Sequence, residues 1–256
     1  MSYSSRGNKY TMERKQKIIV ILGPTASGKS DLAVYIAKNF NGEIISADSR
    51  QIYKGLNIAS NKITRDKKQG IKHYLLDIIT PHQDYSLYNW QQDAYKTIAK
   101  ILKKKKLPII AGGTGLYICS ILQNYDLHPQ NPSLRECPYD FLVFGITPDR
   151  EKLYKKINKR VDKMLDDGSI KEVKRIYKIY PNKKLMALSG IGYKQIIEYL
   201  DHKISLEEAI ENIKRDTRHY AKRQMTWFRH MEKQNIKIHW NKNKNQIKKL
   251  INAFLK

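Results

Sequence analysis

A glycine-framed stretch, Gly23-Pro24-Thr25-Ala26-Ser27-Gly28-Lys29-Ser30, carries the most specific chemistry in the chain. This G-x-x-x-x-G-K-[ST] spacing lets backbone N–H groups and a helix N-terminus converge on a polyphosphate, with Lys29 as a point charge and Ser30 as a Mg²⁺ ligand. The apolar run Ile18-Ile19-Val20-Ile21-Leu22 before it predicts a buried strand, and the periodic stretch after it predicts a helix over 30–40. The loop does not say which polyphosphate it takes.

Two more residues close apolar runs. Asp48 follows Gly42-Glu43-Ile44-Ile45-Ser46-Ala47, and in an open parallel sheet the carboxyl ends of strands carry the site, so Asp48 is expected near the loop. Thr114 follows Leu107-Pro108-Ile109-Ile110-Ala111-Gly112-Gly113, and two readings stand for it: a plain helix cap, or a hydroxyl on the same rim as Asp48. Phosphate-loop proteins mostly transfer the phosphoryl group of a nucleotide such as ATP, and that chemistry usually wants a second acid at the end of an apolar strand. Here the strand over 107–111 ends in Gly-Gly-Thr. Asp48 is therefore open to work as a general base or as a metal holder.

The elements that must hold these residues alternate. Strands are expected over 42–48, 73–79, 107–111, 141–146 and 236–240, and helices over 86–105, 116–122, 169–180, 189–202, 205–231 and 245–256. A further helix opens at Thr147-Pro148-Asp149-Arg150, with Pro near its first position, and stops at Gly168. It carries Lys156, Arg160 and Lys163 on a basic face. Ser205-x-x-Glu208 reads as a capping box, and Lys103 to Lys106 as a solvated helix end. The fold class is α/β, a P-loop NTPase-like parallel sheet flanked by helices with a helical C-terminal part.

With 49 Lys+Arg against 24 Asp+Glu, the formal charge of +25 points to a polyanion such as nucleic acid, or to compositional drift towards Lys. Arg215, Arg218, Lys222 and Arg229 form one stripe on a long helix, read either as phosphate contacts or as a solvated face. The two cysteines, Cys119 and Cys137, form no metal or disulfide pattern, and no apolar run reaches membrane-spanning length. A loose tail over 1–14, one domain over 15–256 and a reducing cytoplasm are expected.

Six ordered blocks resemble the tRNA dimethylallyltransferase family: 23–30, Ile45-Ser-Ala-Asp-Ser-Arg-Gln-Ile-Tyr-Lys-Gly55, Ala111-Gly-Gly-Thr-Gly-Leu-Tyr117, Arg160-Val-x-x-Met164, Gly190-Ile-Gly-Tyr-Lys-Gln195 and Tyr220-Ala-Lys-Arg-Gln-Met-Thr-Trp227. The resemblance implies transfer of a dimethylallyl group from dimethylallyl diphosphate to N6 of the adenosine next to the anticodon, at position 37, with release of diphosphate. It implies that Gly23 to Ser30 hold that diphosphate with Mg²⁺, and that Lys29 and Arg160 stabilise it as it leaves. It also implies that Asp48 takes the N6 proton and that Thr114 sits beside the flipped base. Asp48, Ser49, Arg50, Gln51, Thr114, Arg135, Gly190, Gly192, Tyr193 and Lys194 fall where the family touches tRNA, with Arg218 and Lys222 from the basic stripe added to them. The pattern is bacterial in type and departs at one point, since the family's helical insertion is expected near 136–140 and only five residues bridge that gap. Transfer onto AMP, ADP or ATP, a P-loop kinase and an inactive tRNA-binding protein are the alternatives. A monomer is expected.

Overall fold

Strand β1 (Gln16–Leu22) is apolar from Ile18 onward because helices cover both of its faces there. Ile18, Val20 and Leu22 pack with Trp90, Ile98 and Ile118, whereas Ile19 and Ile21 pack with Ala33, Ile36, Ile247 and Ile251. The computed structural model describes residues 15–127, 137–182 and 185–256, so the expectations for the tail over 1–14 and for Arg135 lie outside the described residues.

The described strands form one parallel sheet in the order β3-β2-β4-β1-β5-β6. Its members are β2 (Gly42–Ala47), β3 (His73–Tyr74), β4 (Leu107–Gly112), β5 (Tyr139–Gly145) and β6 (Ile238–Trp240). On one face lie α1 (Lys29–Asn39) and α9 (Lys244–Leu255); on the other lie α3 (Leu87–Lys103), α4 (Gly115–Leu122) and the second half of α8 (Leu206–Lys233). Register sets where the loops emerge. Leu22, Ala47 and Gly112 end their strands side by side, so Gly23, Asp48 and Gly113 leave the sheet on one rim.

A separate apolar cluster sits among α5 (Arg150–Asp166), α6 (Ser169–Ile179), α7 (Tyr193–Leu200) and the start of α8, around Val161, Val173, Ile176, Ile196 and Ile213. Helix α8, with 28 residues, is about 42 Å long and runs from this cluster, at Ile213, past Ala221 to the sheet core at Phe228 and Met231. It is the beam that joins the helical part to the sheet.

Several expectations shift. The strand expected over 73–79 shortens to β3 because Leu75 and Asp77 adopt φ of 58° and 55°, which breaks an extended run. Pro148 lies before α5 and Asp149 is the cap, its carboxylate accepting from the Lys152 amide at 3.1 Å. The segment over 189–202 opens as a 3₁₀ turn (Met186–Ser189) before α7. A short helix, α2 (Arg65–Lys68), falls in a stretch that shows no pattern. The tetralysine is not simply solvated: Lys104 and Lys106 donate to the buried Glu43 carboxylate at 3.0 and 2.9 Å. Burial would raise the Glu43 pKa, but bonds from Lys106, Tyr74 and Lys104 outweigh it and hold the carboxyl down at about 2.

Glu172 is a buried acid in the apolar stripe of α6 that composition and motif give no reason to single out. Its carboxylate accepts from the amides of Asn57 (3.0 Å), Ile58 (2.9 Å) and Ala59 (3.1 Å) and from the Tyr193 hydroxyl (2.7 Å). It thereby fixes a loop that walls the cavities at the sheet rim. Glu172→Ala strands three amides without an acceptor and is expected to cost about 3–5 kcal/mol. Thermal unfolding checks this as a fall of about 8–15 °C in Tm, and an unchanged Tm would contradict it.

Candidate active site

The phosphate loop is built by backbone conformations that alternate in hand. Ala26 and Gly28 take φ of 63° and 96°, which turns successive amides to one side, and a Cβ at Gly28 would meet nothing while its φ still favours glycine. Helix α1 starts at Lys29, and its first amides have no intrahelical acceptor. Ser27 adds a hydroxyl that is 7% exposed and has no hydrogen-bond partner, although it lines the cavity over the loop. An orphaned donor beside unpaired amides fits a phosphate oxygen.

Lys29 Nζ donates to the Pro24 carbonyl at 3.3 Å. Burial pushes its ammonium down to about 8, with Asp48 opposing the drop and Arg160 adding to it. From α5, Arg160 Nη1 donates to Thr25 Oγ1 at 3.4 Å, so this side chain points into the loop and leaves the basic face on which the helical spacing puts it. Burial lowers the Arg160 guanidinium, and Asp31 opposes that.

Asp48 sits at the end of β2. Its Oδ1 accepts from the Arg50 amide at 2.9 Å and its Oδ2 more weakly from Gln51 Nε2 at 3.4 Å, which aims the carboxylate while leaving lone pairs for a ligand. Thr114 stands at the start of α4, but its hydroxyl caps nothing there. Instead it accepts from the Ser49 amide at 3.1 Å and donates to Ser49 Oγ at 3.4 Å. Burial and then the charge of Asp48 push the Tyr220 phenol up to about 12, so it keeps its proton at neutral pH.

Two cavities meet here. One, of about 510 Å³, lies over the phosphate loop; the other, of about 380 Å³, opens between α5, α7 and α8 and is lined by Ser49, Arg50, Gly190, Tyr220 and Arg223. Thr25, Lys29, Asp48, Asn61 and Arg160 line both, so the loop and the carboxylate face one continuous channel.

The remaining expected contacts divide. Arg50 lies at the second mouth, its Nη1 donating to the Met186 carbonyl at 2.7 Å, and a Cβ at Gly190 would come within 3.4 Å of Arg50 Cδ. Tyr193 is enclosed, 2% exposed with its hydroxyl given to Glu172, so it is a framework residue and not a surface one. Gly192 is also buried, its φ of 95° starting α7. Lys194 and Lys222 are exposed outside the channel, and Arg218 reaches across to Asn158 Oδ1 at 2.9 Å. One member of the long-helix stripe is thus committed to a helix-to-helix contact.

Sequence reasoning quotes Tyr220, Arg223 and Gln224 within a family-like block but gives none of them a role at the site. A signal for Gln224 exists, since it interrupts the buried stripe of Ala221, Phe228 and Met231 with a polar side chain.

Comparison with known proteins finds relatives in sequence and in fold. The IPP transferase family model matches residues 51–137 and 128–231. A tRNA dimethylallyltransferase of Acetivibrio thermocellus is 42% identical over 84% of this chain and 89% of its own length, and one of Streptococcus uberis is 40% identical over 85% and 89%. The crystal structure of the tRNA isopentenylpyrophosphate transferase from Bacillus halodurans superposes with a TM-score of 0.82 at 32% identity, covering 94% of this chain and 96% of that one. With the fold and most of the sequence in agreement, this chain belongs to the tRNA dimethylallyltransferase family.

Proposed function

We propose that this protein transfers a dimethylallyl group from dimethylallyl diphosphate to N6 of the adenosine at position 37, beside the anticodon of tRNA, and releases diphosphate. The observation that carries this reading is the single channel shared by Asp48 and Lys29. A phosphate cradle without an acid at the end of β4, and with a carboxylate opposite, suits alkyl transfer better than phosphoryl transfer.

In this reading the donor enters over the phosphate loop, its diphosphate on the α1 amides, the Ser27 hydroxyl, Lys29 and Arg160. The acceptor base leaves its stack and enters through the mouth at Arg50 and Arg223, at a cost of roughly a few kcal/mol repaid by backbone contacts. Its exocyclic amine meets Asp48. The N6 lone pair forms the bond to C1 of the donor, the C1–O bond breaks with its electron pair leaving on diphosphate, and the N6 proton passes to Asp48. An exocyclic adenine amine is a weak nucleophile, so a base within hydrogen-bond reach matters. Thr114, held by Ser49, orients the ring.

Ser30 is exposed at the start of α1, and among the described residues no group of three His, Cys, Asp or Glu side chains stands ready to hold a metal. That donor set fits Mg²⁺ held by one hydroxyl together with phosphate oxygens. When bound, the ion would neutralise charge on the departing diphosphate. The net charge of +25 supports tRNA as the acceptor over a free nucleotide. Among the described residues no helix is long and apolar enough to cross a membrane.

Incubation with labelled dimethylallyl diphosphate and either tRNA or AMP tests the reading. Label in the tRNA is expected; label on AMP alone would overturn it.

Lys29 makes donor binding depend on pH. Its lowered pKa of about 8 means that the ammonium, the form that binds an anion, is lost as pH rises through 8. Between pH 7 and 9 the protonated fraction falls about tenfold. Titration of inorganic pyrophosphate is expected to show that weakening in the wild type relative to Lys29→Arg, whose guanidinium stays charged. Parallel pH profiles would contradict it.

A further inference from the structure

Gln224, at the wall of the second cavity, bonds to both halves of the site. Its Oε1 accepts from the Thr25 amide of the phosphate loop at 2.8 Å, and its Nε2 donates to the Gly113 carbonyl, one residue before Thr114, at 2.8 Å. The residue is 5% exposed, so both bonds are shielded from water. Gly113 is shaped to this contact, because a Cβ there would lie 2.2 Å from Gln224 Nε2. A methyl-sized addition on the turn would expel the amide.

We infer that Gln224 is a positioning residue that holds the phosphate loop and the Thr114 turn in register, so that the diphosphate and the acceptor amine meet at reacting distance. The inference rests on the proposed prenyl transfer. The two loops leave adjacent strands, β1 and β4, and the strand ladder stops at Leu22 and Gly112. Beyond that point the backbone pairing no longer fixes one loop against the other. One primary amide, with an acceptor and a donor on the same planar group, restores the link at a fixed span. It comes from α8, the helix that also brings Tyr220, four residues earlier, to the lining of the second cavity. Donor grip and acceptor seat are therefore referenced to one rigid element.

A register function acts on the transition state more than on either ground state. Misplacement of reacting groups by about 1 Å costs about 100-fold in rate, while each substrate still finds its own half of the site. Gln224→Ala is expected to lower kcat about 30- to 100-fold with KM for tRNA and for the donor within about threefold of wild type. Gly113→Ala is expected to do the same by displacing the amide. The double variant is expected to be no slower than either single one, since the added methyl group enters the space the shortened side chain vacates.

The test is steady-state kinetics of this cycle together with amide hydrogen exchange at Thr25, which needs no prenyl chemistry. Exchange at Thr25 is expected to speed up at least about tenfold in Gln224→Ala. The inference is overturned if kcat stays within about threefold of wild type, if the loss falls in KM, or if the two substitutions multiply. A wild type inert towards tRNA would refute the proposed function and leave the exchange result to decide on the clamp: acceleration supports it, and unchanged protection overturns it. If Gln224→Ala does not fold, Gly113→Ala with the same two readouts decides.

Discussion

Asp48→Asn is expected to lower turnover about 10³-fold, within the range of a positioned general base, while tRNA affinity stays within about threefold of wild type. The substitution is chosen because it spares the scaffold. Asp48 Oδ1 accepts from the Arg50 amide at 2.9 Å, and an Asn carbonyl oxygen makes the same bond. The neighbouring Ser49 amide keeps its own acceptor on Thr114. What the variant loses is the ability to take a proton from an amine. Single-turnover transfer with saturating tRNA isolates that loss. Rates within tenfold of wild type would mean that another group, or solvent, accepts the proton.

Lys29→Met is expected to lower turnover about 10²- to 10³-fold, the effect of removing one charge-stabilising donor from a preorganised site. Three features make Lys29 the principal cation. It lies at the junction of both cavities, its charge is aimed along the phosphate loop by the Pro24 carbonyl, and desolvation strengthens its hold on an anion. Arg160 supports it from α5 through Thr25 but reaches the loop at 3.4 Å. Pyrophosphate affinity should fall together with turnover, because the interaction is present before and during bond breaking. A Lys29→Met enzyme with unchanged pyrophosphate binding would place the diphosphate elsewhere.

The central architecture was legible because each site residue closes a strongly patterned segment. The continuous apolar run of β1, the glycine-framed loop and the two short apolar strands at 42–47 and 107–112 define three neighbouring strand ends. Parallel register then brings Gly23, Asp48 and Gly113 together without further information. The fold class comes from the same alternation.

What escaped the sequence is side-chain commitment across long separations. Nothing local distinguishes Glu172 from a solvated helix acid, and only the packing of α6 against the loop at 57–59 gives it three amides. Tyr193 sits in a motif-like block whose resemblance suggested tRNA contact, yet burial beside Glu172 turns the ring inward. Arg160 falls on the basic side of its helix by periodicity, whereas the loop at Thr25 draws it in. Lys104 and Lys106 read as solvent-facing until Glu43, buried at the start of β2, supplies their partner. Each case is a tertiary partner overriding an expectation drawn from local sequence or from a motif.

The proposed prenyl transfer requires one geometric condition, that the acceptor amine and the prenyl diphosphate meet between Asp48 and Lys29. A structure with an unreactive donor analogue and a tRNA anticodon stem tests it most directly. It is expected to show the diphosphate on the 23–30 loop and the adenine N6 within about 3 Å of an Asp48 carboxylate oxygen. A diphosphate seated outside that loop, or an acceptor amine turned away from Asp48 into a separate cavity, would contradict it.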